Sequence, residues 1–105
     1  GILQQMGVPL ASRSVLRLED CVGAGYAQST EEELEFLVDV ARATGVVLDP
    51  VYSGKAALGM ARDLRARPRA AGAPPLRVLF VHTGGLLGLY AKEAQLAPLL
   101  KEQSY

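Results

Sequence analysis

Tyr52, Ser53 and Lys55 follow the apolar run Val46-Val47-Leu48, after the turn residues Asp49-Pro50-Val51. His82, Thr83, Gly84 and Gly85 follow a second apolar run, Val78-Leu79-Phe80-Val81. These side chains suit binding and proton transfer. A hydroxyl at Ser53 or Thr83 has a single proton to donate and lone pairs to accept with. A phenol at Tyr52 can bind a polar ligand or move a proton, and base work needs its usual pKa of about 10 brought down. A glycine pair lets the backbone approach a flat ligand closely, or cradles a phosphate where a helix follows. Each feature also has a plain structural alternative. Ser53 and Thr83 can serve as helix cap or turn hydroxyl, Tyr52 as a half-buried packing residue and His82 as a structural hydrogen-bonder.

The elements that must position these residues are read from pattern. Val46, Val47 and Leu48, bounded by Gly45 and by Asp49-Pro50, suit a strand buried on both faces. Pro50 has no N–H for a ladder, so that strand is predicted to end near Asp49, whose carboxylate is expected to accept backbone N–H bonds in the turn. Ala56, Ala57, Leu58, Met60 and Ala61 are good helix formers, so a helix is predicted from Ser53 or Gly54 to about Ala66. Val78 to Val81 is predicted as a second buried strand. Leu86 to about Lys101 is predicted helical, with breaks near Gly88 and Pro98. Tyr52 and Ser53 then lie where a strand ends and a helix begins, the edge at which open α/β sheets place ligands.

Upstream, Gly1 to Gly7 reads as the end of a helix stopped at Gly7, with Pro9 just beyond. Arg13 to Leu18 reads as a strand, and Glu19 to Gln28 as a loop carrying Tyr26 near its end. Thr30 with Glu33 has capping-box spacing, and Ser29 with Glu32 is the alternative register. Leu34, Leu37, Val38 and Ala41 repeat at helical spacing, with Glu31, Glu32 and Glu33 in the first turn and Gly45 as the C-terminal cap. Arg65 to Leu76, rich in Arg, Pro, Gly and Ala, is an exposed loop. Strands alternating with helices argue for an α/β fold with a parallel sheet. Such a sheet needs both faces covered, so residues 1–105 read as one side of a larger domain.

Composition narrows the function classes. Eleven basic residues balance 11 acidic ones, which gives no support for nucleic-acid or anionic-membrane binding. No apolar run approaches a bilayer-spanning length. The single Cys21 allows no internal disulfide and no multi-Cys zinc site, and it fits a reducing intracellular compartment, cytoplasm or organelle. The chain starts at Gly1 instead of Met, so a longer N-terminal portion is expected. Gly23-Ala24-Gly25 is too short a glycine pattern to signal a dinucleotide site.

The stretch Asp49-Pro50-Val51-Tyr52-Ser53-Gly54-Lys55-Ala56, together with Val78 to Gly85, resembles the C-terminal part of the D-cysteine desulfhydrase and 1-aminocyclopropane-1-carboxylate deaminase family. The resemblance runs from about Val15 to about Tyr90. It implies a pyridoxal phosphate (PLP) enzyme of the tryptophan-synthase-β-like fold type, roughly three times this long. It implies that Ser53 and Thr83 lie beside the pyridine nitrogen, with Gly84 close to the ring. It also implies that Tyr52 and Tyr26 are active-site phenols. Tyr26 usually precedes Gly in this family; here Ala27 follows it. Deaminase-like members carry Glu after the Tyr and an apolar residue before the glycine pair. Ser53 and Thr83 therefore side with the desulfhydrase branch, which converts D-cysteine to pyruvate, hydrogen sulfide and ammonia.

The resemblance places the Schiff-base lysine and the phosphate loop outside residues 1–105, so Lys55 is expected to balance charge near the site or to be solvated. The expected partners are a small amino-acid substrate and a second subunit, since such enzymes are commonly homodimers. Two other readings stand beside this one: cyclopropane-ring deamination on the same scaffold, and a catalytically empty interaction module. Residues 1–105 alone are expected neither to hold PLP as a Schiff base nor to turn over D-cysteine.

Overall fold

The computed structural model describes residues 1–101. Its elements are helices α1 (Ile2–Gln5), α2 (Ser12–Val15), α3 (Glu31–Thr44) and α4 (Ser53–Ala66), a 3-10 segment Leu86–Lys92, and α5 (Glu93–Lys101). Helix α3 begins in the Thr30/Glu33 register. The Thr30 hydroxyl accepts the Glu33 N–H at 3.2 Å, and the Glu33 carboxylate accepts the Thr30 N–H at 2.9 Å. It ends at Gly45, whose φ of 74° is the left-handed cap conformation. Helix α4 ends at Arg67 because Pro68 pushes the residue before it out of the helical region, to ψ 123°. Pro98 does not break the C-terminal helix; it lies inside α5.

The core is small. Leu34, Leu37 and Val38 of α3, Leu48, Ala57 of α4 and Leu96 of α5 form one buried cluster, with Phe36, Val40, Phe80, Leu89 and Leu99 packed at its margin. Each buried Leu of this kind contributes about 1.5–3 kcal/mol. The radius of gyration is 17.3 Å, against about 13 Å for a compact domain of this length. The helices therefore close around a local core, and large apolar residues elsewhere face solvent. Leu18 is 90% and Leu79 is 87% exposed.

The described residues contain no β-strand, which corrects the expected α/β parallel sheet at the level of secondary structure. Arg13–Leu18 is not a strand: Ser12–Val15 is a helical turn with an irregular segment after it. Val46–Leu48 and Val78–Val81 are irregular. The two runs do meet, since the His82 ring is 2.9 Å from the Val47 carbonyl, but no ladder forms between them. A strand is stabilised by neighbours and not by its own residues. A lone pair of short runs is marginal in water, and parallel pairing is the weaker kind.

Candidate functional site

Asp49 is the centre from which the site is built. It is 1% exposed. Its Oδ1 accepts the N–H groups of Val51 (2.9 Å) and Tyr52 (2.7 Å), and its Oδ2 accepts the N–H of Ser53 (2.7 Å) and the Ser53 hydroxyl (2.5 Å). A helix start leaves unpaired N–H donors and carries partial positive charge, so a carboxylate at that point caps it twice over. Burial pushes the Asp49 carboxyl up. The bonds from the Ser53 hydroxyl and from the N–H groups of Ser53, Tyr52 and Val51 outweigh that and hold it below the ordinary carboxylate range. Gly54 is required at this turn because a Cβ there would lie 2.6 Å from the Asp49 carbonyl oxygen.

The same network decides what Ser53 can do. Its hydroxyl gives its one proton to Asp49 Oδ2 and accepts the Asp49 N–H at 2.8 Å. The residue is buried. Thr83, the other hydroxyl, is exposed, and among the described residues it makes no side-chain hydrogen bond. The loop carrying it is held at both ends. His82 meets the Val47 carbonyl through Nε2, 2.9 Å away, and accepts the Gly84 N–H at Nδ1, 3.0 Å away, an arrangement that suits the tautomer with its proton on Nε2. Gly85 lies against the Asp49 carboxylate: with φ at 92°, a Cβ there would stand 2.7 Å from Asp49 Cγ. Gly84, at φ 100°, has open space around the position of a Cβ. The turn after the first apolar run and the loop after the second are thus in contact through Asp49 and Gly85.

Tyr26 and Tyr52, 26 residues apart in sequence, meet at their hydroxyls, 3.0 Å apart, with ring centroids 6.2 Å apart and planes at 61°. Both rings are exposed. The hydrogen bond to Tyr26, then the Tyr26 charge, desolvation and the Asp49 charge hold the Tyr52 phenol above its ordinary range. Tyr52 is therefore protonated at neutral pH and suits a donor's role better than a base's. Ala27 adopts φ 56°, the left-handed conformation a Gly would take freely. The loop makes a glycine-type turn with Ala in it.

Lys55 is not solvated. It is 6% exposed, and its ammonium donates to the carbonyls of Val22 (2.5 Å), Gly25 (2.9 Å) and Gln28 (2.7 Å), with the Glu33 carboxylate 3.7 Å away. Its partners come from the glycine-punctuated loop 22–28, and no spacing rule connects that loop to α4. One signal was present: a lysine in the first turn of a helix opposes the helix dipole, so its placement asks for acceptors. A depression of about 390 Å³ lined by Leu64, Arg67, Pro68, Arg69, Leu76 and Val78 lies at the other end of α4 and takes in none of the predicted site residues.

The chain is 46% identical over 100 residues to the "Bifunctional D-cysteine desulfhydrase/1-aminocyclopropane-1-carboxylate deaminase, mitochondrial" of Arabidopsis thaliana, covering 95% of this chain and 24% of that protein. It is 40% identical over 79 residues to the "Putative 1-aminocyclopropane-1-carboxylate deaminase" of Thermotoga maritima, covering 75% of this chain and 23% of that protein. No family model matches the chain, and no solved structure matches it. The chain spans about a quarter of the length of these relatives. By homology over nearly all of its length, the chain belongs with the D-cysteine desulfhydrase/1-aminocyclopropane-1-carboxylate deaminase family.

Proposed function

We propose that these residues form the C-terminal part of a PLP-dependent D-cysteine desulfhydrase site, in a protein that forms pyruvate, hydrogen sulfide and ammonia from D-cysteine. The observation that carries this reading is the convergence of two phenols, Tyr26 and Tyr52, on the turn whose Asp49 also seats the Thr83–Gly85 loop. PLP, when bound, supplies an electron sink for charge developing at the substrate α-carbon.

The residues present fit that cofactor at the loop. Thr83 has a hydroxyl proton free to meet a neutral ring nitrogen, and the open space at Gly84 leaves the loop backbone approachable. Ser53, whose proton is held by Asp49, fits as the residue that fixes the turn beside it, and its remaining lone pair can only accept. The phenol pair presents O–H donors to an anionic group of a small amino-acid substrate, a carboxylate or a departing thiolate. The lysine of the motif, Lys55, has all three of its protons on backbone carbonyls, so it does not serve as the amine that carries the cofactor. That lysine is assigned to chain outside residues 1–105, and the working enzyme to a homodimer inside the cell.

The test is a product assay on the protein read from the whole reading frame around residues 1–105. Sulfide from D-cysteine, well above that from L-cysteine, is expected. Ammonia from 1-aminocyclopropane-1-carboxylate without sulfide from D-cysteine would replace this reading with the deaminase one. A protein that binds no PLP and turns over none of these substrates would end it.

A further inference from the structure

Tyr26 lies on a loop with little to hold it by itself. Residues 22–28 form no helix or strand, Gly23, Gly25 and Ala27 all have positive φ, and the Tyr26 ring is mostly in solvent. Four contacts tie this loop down. Three are the Lys55 bonds to the carbonyls of Val22, Gly25 and Gln28, which bracket Tyr26 on both sides. The fourth is Lys92, on the 3-10 segment that follows the Thr83–Gly85 loop, whose ammonium donates to the Ala27 carbonyl at 2.8 Å. Just before the loop, the Cys21 side chain fills the space where a Cβ on Gly59 of α4 would be.

An ammonium has three protons and no acceptor, and here each proton has its own carbonyl. Glu33 balances the charge and is itself fixed by the Thr30 N–H. A buried ammonium is retained only where it is paired and fully hydrogen-bonded. No planar guanidinium fork matches a tripod of three carbonyls in this way.

We propose that Lys55 is the positioning residue of the site: its ammonium clasps the 22–28 loop onto the start of α4 so that the Tyr26 hydroxyl is delivered to Tyr52. Lys55 sits three residues after Tyr52 on the same turn, so one short segment carries one phenol and holds the other. The inference rests on the proposed function only for what the phenols do, and the geometry is tested without it.

The experiment follows the Tyr52 ring by NMR of protein labelled at the tyrosine Cζ carbons, titrated with base, in the wild type, Lys55→Met, Tyr26→Phe and the double variant. The protein is the one read from the whole reading frame. In the wild type, Tyr52 is expected to titrate above the ordinary tyrosine range because its hydroxyl is hydrogen-bonded to Tyr26 and the Tyr26 charge opposes its ionisation. Tyr26→Phe is expected to lower the midpoint, Lys55→Met to lower it by the same amount, and the double variant to lower it no further. A merely structural lysine would reduce the melting temperature and leave the Tyr52 midpoint at the wild-type value, and that result would overturn the proposal. Lys55→Met strands the Glu33 carboxylate, so Lys55→Met/Glu33→Gln is measured beside it, with the same expectation and the same contrary result. If the wild type proves inactive on D-cysteine, the functional reading fails while the titration still decides the clasp.

Discussion

The turn at 49–55 and the run at 78–81 stand at opposite extremes of this molecule. Around Asp49 every buried donor and acceptor of the side chains described has a partner, and Leu48, Asp49, Ser53 and Lys55 are all buried. At 78–81 the sequence is as apolar, yet Val78, Leu79 and Val81 face solvent and only Phe80 reaches the core. The first region is stabilised by caps and clasps that lie within reach of one turn and one loop. The second asks for ladder partners and a covering layer. Apolar sequence by itself does not form structure; the partners decide.

The largest effect should come from breaking the tight region at its buried charge. Lys55→Met leaves three carbonyls and a buried carboxylate without their partner. A loss of about 3–5 kcal/mol is expected in urea unfolding; a loss below about 1 kcal/mol would show that the clasp is not formed. Truncating the same side chain in both regions sharpens the contrast. Leu48→Ala is expected to cost about 3 kcal/mol, whereas Leu79→Ala, at 87% exposed, should stay within about 0.5 kcal/mol. Equal costs would mean that the second run is buried in solution.

Acid should loosen the Asp49 turn before it touches the exposed run. The Asp49 carboxyl is held below its usual value in the folded chain, so the stabilisation it contributes is complete above the unfolded value of about 3.9 and is lost as pH falls through the folded value. Melting followed downward from about pH 6, some two units above the unfolded value, should show this loss in the wild type. Asp49→Asn should be less stable at neutral pH and should lack this acid-dependent step. An unchanged acid limb would assign the step to other carboxylates. The smallest effect expected is a gain: Ala27→Gly relieves a left-handed Ala, which costs about 1–2 kcal/mol, against the greater freedom of Gly when unfolded. A net stabilisation of about 0.5 kcal/mol follows, and a net loss would mean that the methyl group packs.

What could be read in the sequence follows the same division. Thr30 and Glu33 marked the start of α3, Gly45 marked its end, and the Asp49-Pro50 turn with the good helix formers after it marked the start of α4. These are short-range signals, and each is satisfied within a few residues. The strands predicted at Arg13–Leu18, Val46–Leu48 and Val78–Val81 are absent because apolar pattern states a demand for neighbours without supplying them. Motif resemblance singled out Tyr26 and Tyr52, and the fold brings their hydroxyls to 3.0 Å. The commitment of the Ser53 proton to Asp49 was not legible, since a hydroxyl's partner depends on where a carboxylate four residues earlier points. The three carbonyls that hold Lys55 lie 27 to 33 residues away, and backbone acceptors leave no trace in a sequence.

The phenol pair is the centre of the functional reading, and the rate of sulfide release from D-cysteine tests it most directly. In the protein read from the whole frame, Tyr52→Phe and Tyr26→Phe are each expected to lower kcat on the order of 10²-fold. The double variant should be no slower than the slower single one, because two hydroxyls joined by one hydrogen bond act as a unit. Single variants that both keep the wild-type rate would contradict the assignment of this site to the two tyrosines.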